Sequence, residues 1–210
     1  MEPSAQDSGD LRRRILDTAR CLLVADGYKR LSMRKIARAI GYSATSIYLH
    51  FESKDALVHA LIEEGMERLY GAFRRVWAAH PDDPYARLEA LCRCYVDFGL
   101  EHPEYYEIMY LLHPEQMARF PAEKYRRARR NLELLVETLA EGAERGVFVP
   151  EDPLRAASAI WASLHGVVSL LLSRRVDVRV EPRQLVDATI RQVLRGYAVT
   201  PLDVDLPASG

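Results

Sequence analysis

A chain of 210 residues has room for one large domain, or for a small one joined to a medium one. Its 49% apolar content is enough for an ordinary globular core, and a formal net charge of −1 leaves no bulk excess that demands a nucleic-acid partner. The three cysteines, Cys21, Cys92 and Cys94, are odd in number and lack metal-ligand spacing; this excludes a disulfide framework or a cysteine zinc site and reads as reduced core thiols in a cytosolic protein.

The charge is unevenly spread. From Leu11 to Lys54 there are ten basic residues and three acidic ones, a local charge of +7 that leaves −8 for the remainder. A basic module on an acidic body is the electrostatic pattern of a DNA-binding protein.

The periodicity is helical nearly throughout, which predicts an all-α fold of about nine helices. The opening MEPSAQDSGD is polar and lacks the apolar core of a targeting signal. Asp10 is then expected to cap a first helix carrying Leu11, Ile15, Ala19, Leu22 and Leu23 on one stripe, stopped by Gly27. Ser32 caps a second helix with Ile36, Ala37 and Ile40 inward; Gly41 ends it, and Ser43 caps a third from Ala44 to about His50. A fourth starts near Ser53 and runs past Trp77, until His80-Pro-Asp-Asp-Pro84 breaks it.

Leu88, Leu91, Cys92, Tyr95 and Gly99 mark a fifth helix, Pro103 opens a short sixth that stops before Pro114, and Pro121 precedes a seventh. The eighth runs from about Pro153 to Ser173, the ninth from about Pro182 to Ala198, and a loose tail follows from Thr200. Seventeen residues of the eighth helix, Ala156 to Leu172, carry no charged side chain. Three serines, a histidine and the lack of a second such stretch favour a helix buried on all sides over a membrane span. The expected domains are 10–56, a helix-turn-helix, and 57–199, a larger helical domain, with 200–210 as the tail.

Two short helices joined by a glycine turn are the architecture of a helix-turn-helix. Ile36, Ala37, Ile40, Ile47 and Phe51 form a small shared core with the first helix, which leaves Ser43, Ala44, Thr45, Ser46, Leu49 and His50 outward. Small hydroxylic residues suit a helix that enters a major groove about 12 Å wide.

The segment from Leu31 to Ser43, followed by Ser46 to Leu57, resembles the DNA-binding domain of the TetR (tetracycline-repressor-like) family of transcriptional regulators. The marks are Ile36-Ala37, Gly41, Ser43, Ile47-Tyr48, His50-Phe51, Lys54 and Leu57. The resemblance implies phosphate contacts from Tyr48, His50 and Lys54 and base reading by the first turns of the third helix. The implied DNA-binding set is Ser32, Arg34, Tyr42, Ser43, Ala44, Thr45, Ser46, Tyr48, His50 and Lys54. Ala44, Thr45 and Leu49 depart from the residues common in the family, which bears on the operator sequence rather than the fold. Tyr48 packed on the first helix, and Lys54 paired with carboxylates, are the alternative readings.

Tyr95-x-x-Phe98, His102 to Tyr110, Gly146-Val-Phe, Asp152-Pro and Trp161-Ala-Ser-Leu-His-Gly166 are similar to the family subgroup with a Trp–His–Gly C-terminal domain. Facing helices bearing Tyr95, Phe98, Tyr105, Met109, Phe120, Trp161 and His165 make a candidate apolar effector pocket with a few polar handles, with plain core packing as the alternative. The eighth helix is apolar around much of its circumference and needs a second partner. With the ninth it forms the expected homodimer surface, through Leu164, Val168, Leu171, Leu185, Ala188 and Gln192.

The function that follows is a cytoplasmic, homodimeric, ligand-responsive DNA-binding regulator. It would be a repressor released from a pseudo-palindromic double-stranded DNA operator by a small hydrophobic effector, without cofactor or metal. A ligand-independent regulator is the alternative. A helical-bundle enzyme would want paired Glu-x-x-His motifs, whereas His59 and Glu63 have no second set to answer them.

Overall fold

The structure, a computed structural model, describes residues 5–112 and 121–199, with side chains from residue 9 onward except those of residues 122 and 125. Phe120 and the tail expected from Thr200 lie outside the described residues. Within them every regular element is a helix: α1 (Ala5–Arg30), α2 (Met33–Ile40), α3 (Ala44–Tyr48), α4 (Lys54–Ala79), α5 (Pro84–Glu101), α6 (Pro103–Tyr106) running into a π turn (Glu107–Leu111), α7 (Ala122–Glu144), α8 (Pro153–Leu172) and α9 (Pro182–Arg195). Among the described residues the one extended pairing is an isolated antiparallel bridge between Phe148 and Ala198.

The caps follow local chemistry. Ser32 Oγ accepts from Lys35 N at 3.2 Å and Ser43 Oγ from Ser46 N at 3.1 Å. Ser53 and Asp83 serve α4 and α5 in the same way, and Asp152 and Glu181 cap α8 and α9. Gly27 interrupts α1 at φ 76°, and Gly41 closes α2 at φ 75°, ψ 30°, backbone that an L side chain adopts only with strain. Asp10 is not a cap: α1 already begins at Ala5, because nothing between Ala5 and Leu11 breaks the helix beyond the modest cost of Gly9.

The chain divides into two compact units, Met1–Glu67 with His102–Tyr125, and Arg68–Glu101 with Arg126–Gly210. The first unit has one core. Ile15, Leu16, Ala19 and Leu23 of α1 meet Ile36, Ala37 and Ile47 of the helix-turn-helix, Leu57, Val58 and Leu61 of α4, and Ile108 of the π turn. Residues 57–67 and the α6 region therefore pack with α1–α3, because three short helices alone bury too little apolar surface to stand by themselves.

In the second unit, α5 packs on α8 and α9, and α8 on α9. Arg87 is almost wholly buried there. Its guanidinium lies 4.2 Å from the Trp77 ring centroid, donates to the His80 and Pro81 carbonyls at 3.3 and 3.2 Å and to Thr138 at 3.2 Å, and pairs with Glu141. A cation removed from water needs this many acceptors, and here they tie the end of α4 to α5 and α7.

Two expectations need correction. Cys21 is exposed and Cys94 half-buried, so only Cys92 is a core thiol, pushed up to about 12 by burial. α8 is long and apolar enough to cross a membrane, but only 33% of its most apolar window is buried within the chain, so it is not buried on all sides.

Candidate nucleic-acid interface and effector region

Residues on α3 sort by angle. At 100° per residue, Ile47 faces the core, fully buried, while Thr45 and Leu49 lie about 200° to either side of it and so point directly away. Both are exposed, Leu49 to 82%. Tyr48 is 53% exposed. Ser46 and Ala44 are half-buried at the flanks, and Ser43 Oγ lies 2.9 Å from Ser46 Oγ as well as capping the helix. Ser32, Arg34, Tyr42 and Ser43 are exposed and His50 is half-exposed.

The basic residues around this face are anchored. Arg14 stacks 5.4 Å from the Tyr42 ring centroid and donates to the Ile40 carbonyl at 3.1 Å; Arg12 lies 5.1 Å from the Phe51 ring centroid. Lys54 sits 3.9 Å from the Tyr28 ring centroid and its Nζ donates to the Tyr28 carbonyl at 3.2 Å, a ring and a carbonyl rather than a carboxylate. The Tyr28 hydroxyl donates to Asp55, and burial pushes its pKa up to about 12. Lys29, Arg30, Arg34 and Arg38 are exposed cations of the same unit.

The expected effector residues fall into two groups. Tyr105 and Met109 belong to the first unit and are buried. Tyr105 Oη donates to Glu64 at 2.6 Å and accepts from Arg20 at 2.6 Å; Arg13 reaches the same Glu64 oxygen at 2.8 Å, and Arg20 pairs with Glu104 at 2.9 Å. This polar lattice joins α1, α4 and α6. Beside it, Gly65 lets Met109 and Tyr105 press against α4, where a Cβ would collide with the Met109 thioether. Sequence reasoning missed this lattice; the seven-residue spacing of Arg13 and Arg20, two turns on one helix face, is the one local sign of it.

Tyr95, Phe98, Trp161 and His165 belong to the second unit. Trp161 Nε1 donates to Tyr95 Oη at 3.1 Å, and Tyr95 Oη lies 3.4 Å from His165 Nδ1. His165 Nε2 is 3.5 Å from Ser169 Oγ. Burial lowers the His165 pKa, which favours the neutral imidazole. Tyr95 and Phe98 are buried, and Trp161 is 36% exposed.

The expected dimer residues divide as well. Leu164 and Val168 retain 1% and 0% of their exposure in the single chain, so they belong to its own core and have no surface left for a partner. The reason is the α8 helical period, which turns them toward the interior of their own unit. Leu171 and Leu185 are half-buried, and Ala188 and Gln192 are exposed. The outward face of α8 instead carries Ala159, Ala162, Ser163 and Leu170, with Gly166 among them, where an added Cβ meets nothing within 4 Å. Among the described residues no cluster of three or more His, Cys, Asp or Glu is arranged to hold a metal ion.

Comparison with known proteins matches two parts of the chain to one family. Residues 15–61 match the profile of bacterial regulatory proteins of the tetR family, and residues 88–193 match a tetracyclin repressor-like C-terminal domain, together more than half of the chain. The helix-turn-helix transcriptional repressor KstR2 of Rhodococcus jostii is 35% identical over 91 residues, which cover 42% of this chain and 44% of that protein. The chain thus spans under half the length of that curated relative. A solved protein of unknown function from Rhodococcus sp. RHA1 superimposes with a TM-score of 0.77 at 30% identity, covering 90% of this chain and 96% of that one. AibR, solved with isovaleryl coenzyme A and operator DNA, has a TM-score of 0.68 at 23% identity over 86% of this chain and 96% of its own, a likeness of fold.

Proposed function

Because this chain belongs to the tetracycline-repressor family of bacterial regulatory proteins, we propose that it is a cytoplasmic homodimeric repressor that binds a pseudo-palindromic DNA operator and leaves it when a small effector binds. The observation that carries the reading is the outward face of α3, exposed and without acidic side chains, on a module of charge +7. Thr45 reads bases, while Tyr48, His50 and Lys54, with Ser32, Arg34, Tyr42, Ser43 and Ser46, position the module on the phosphates. No enzymatic step is assigned to the chain.

Dimerisation through the small-residue face of α8 and the exposed face of α9 sets two recognition helices roughly 34–36 Å apart, one turn of DNA. α4 is continuous through 26 residues, and its far end is held by Arg87. An effector that moves this helix alters the spacing that the operator requires, and operator and effector then weaken each other equally. A coupling of about 1–3 kcal/mol is a 5- to 150-fold change in affinity. The effector has an apolar body, and short acyl-coenzyme A thioesters are a rational first panel given the fold neighbour solved with one. A ligand-independent regulator is the second reading, favoured by the polar ends of Tyr95, Tyr105 and Trp161 already bonding within the chain.

The test is operator affinity against salt. Neutralising about 4–6 phosphates per dimer gives a log–log slope near −4 to −5. Tyr48→Phe combined with Lys54→Ala weakens binding to all sequences alike, and unchanged affinity in that variant contradicts the assignment. Saturation with a thioester from the panel that leaves operator affinity unchanged favours the ligand-independent reading.

A further inference from the structure

We propose that Leu49 is a specificity-determining residue that reads a thymine in each operator half-site through the 5-methyl group in the major groove; the inference rests on the DNA-binding reading above. Leu49 is 82% exposed although it belongs to a well-packed module, and nothing in its own unit needs an apolar side chain there. Its position is defined by the helix: the Leu49 amide donates to the Thr45 carbonyl at 3.2 Å, which places the two side chains one turn apart and opposite buried Ile47.

The rest of the face narrows the chemistry. From Ala44 to Leu49 there is no Arg, Lys, Asn, Gln, Asp or Glu, so α3 cannot offer the bidentate hydrogen bonds that single out guanine, adenine or cytosine. Ser46 Oγ is engaged with Ser43 Oγ. What remains opposite the core is one hydroxyl with a methyl, Thr45, and one isobutyl group, Leu49. In the major groove the apolar feature that marks a base is the 5-methyl of thymine, and apolar contact is how it is read. The occupant is double-stranded DNA because the cations of the module, Lys29, Arg30, Arg34 and Arg38, are exposed in the same unit and complement phosphate.

The experiment uses the full chain and DNA selected by it from a random pool. Each thymine of the selected half-site is replaced by deoxyuridine, which removes the methyl alone. Wild-type protein is expected to lose about fourfold in affinity at one such position per half-site, the factor that about 0.8 kcal/mol for one buried methyl-sized group represents. Leu49→Ala loses a similar factor on the unmodified site and becomes indifferent to deoxyuridine at that position, while sensitivity elsewhere is retained. Leu49→Met, which keeps apolar reach, retains the dependence. Since Leu49 is largely exposed, the thermal melting curves of both variants overlay that of wild type. Wild-type binding indifferent to every deoxyuridine, or Leu49→Ala still sensitive at the same position, overturns the inference and leaves DNA binding standing. A chain that selects no DNA overturns both.

Discussion

The outward faces of α3 and α8 are both left uncovered by the chain, yet they are built from different residues. α3 presents Thr45, Tyr48 and Leu49 on a module of charge +7; α8 presents Ala159, Ala162, Ser163 and Gly166, small enough for another helix to approach closely, with Leu170 at the end of the row. The first face suits a polyanion with a groove, the second a copy of itself. An exposed apolar side chain thus takes its meaning from its surroundings: large and flanked by cations in one case, small and serially repeated in the other.

The two sides of α8 should respond oppositely to the same substitution. Leu164→Asp buries a charge in the chain's own core and is expected to cost about 4 kcal/mol or more, giving unfolded or insoluble protein. Ala162→Asp, on the outward side, should leave the circular dichroism spectrum intact and turn the dimer into monomers by analytical ultracentrifugation. A folded Leu164→Asp monomer reverses the assignment of the two faces.

Glycines provide the next contrast. Gly65→Ala places a Cβ against Met109, whose flexible side chain gives way in part, so a loss of about 1–3 kcal/mol is expected in urea unfolding. Gly166→Ala meets open space within the chain, and in dilute solution it should match or exceed wild type by up to about 1 kcal/mol from helix propensity, while the dimer dissociates at higher concentration. Equal destabilisation at both positions removes the case for a partner on α8.

The smallest effect is the pH response of the Trp161–Tyr95–His165 chain. His165 has a folded-state pKa below its unfolded value, so the unfolded chain binds more protons between the two. Stability is therefore complete above about 6.5, the unfolded value, and falls as pH drops through the folded value. His165→Gln should flatten this part of the profile, followed by Trp161 fluorescence, and an unchanged slope assigns it to other groups.

The helices were largely legible from the sequence because their caps and breakers are local: Ser32, Gly41 and Ser43 act on neighbouring backbone groups and stand where the pattern places them. What was illegible is long-range. The apolar residues of α8 looked alike as sequence, but Leu164 and Val168 point inward and Ala162 outward, a choice made by α5 and α9. Tyr105 looked like an effector handle, whereas its hydroxyl is held by Glu64 and Arg20, 41 and 85 residues away along the chain. Lys54 looked free to meet phosphate or a carboxylate, and it rests on the Tyr28 ring and carbonyl, so reaching phosphate involves releasing a contact within the module.

Selection of DNA from a random pool by the full-length chain, followed by footprinting on the enriched sequence, shows directly whether residues 15–61 recognise DNA by sequence. Two protected half-sites in inverted repeat are expected, with centres about one helical turn apart, somewhat more if the DNA is distorted. Thr45→Ala is expected to enrich a different sequence while keeping the spacing. A pool that remains random after repeated rounds, or a Thr45→Ala chain that enriches the wild-type sequence unchanged, rules out base reading by α3.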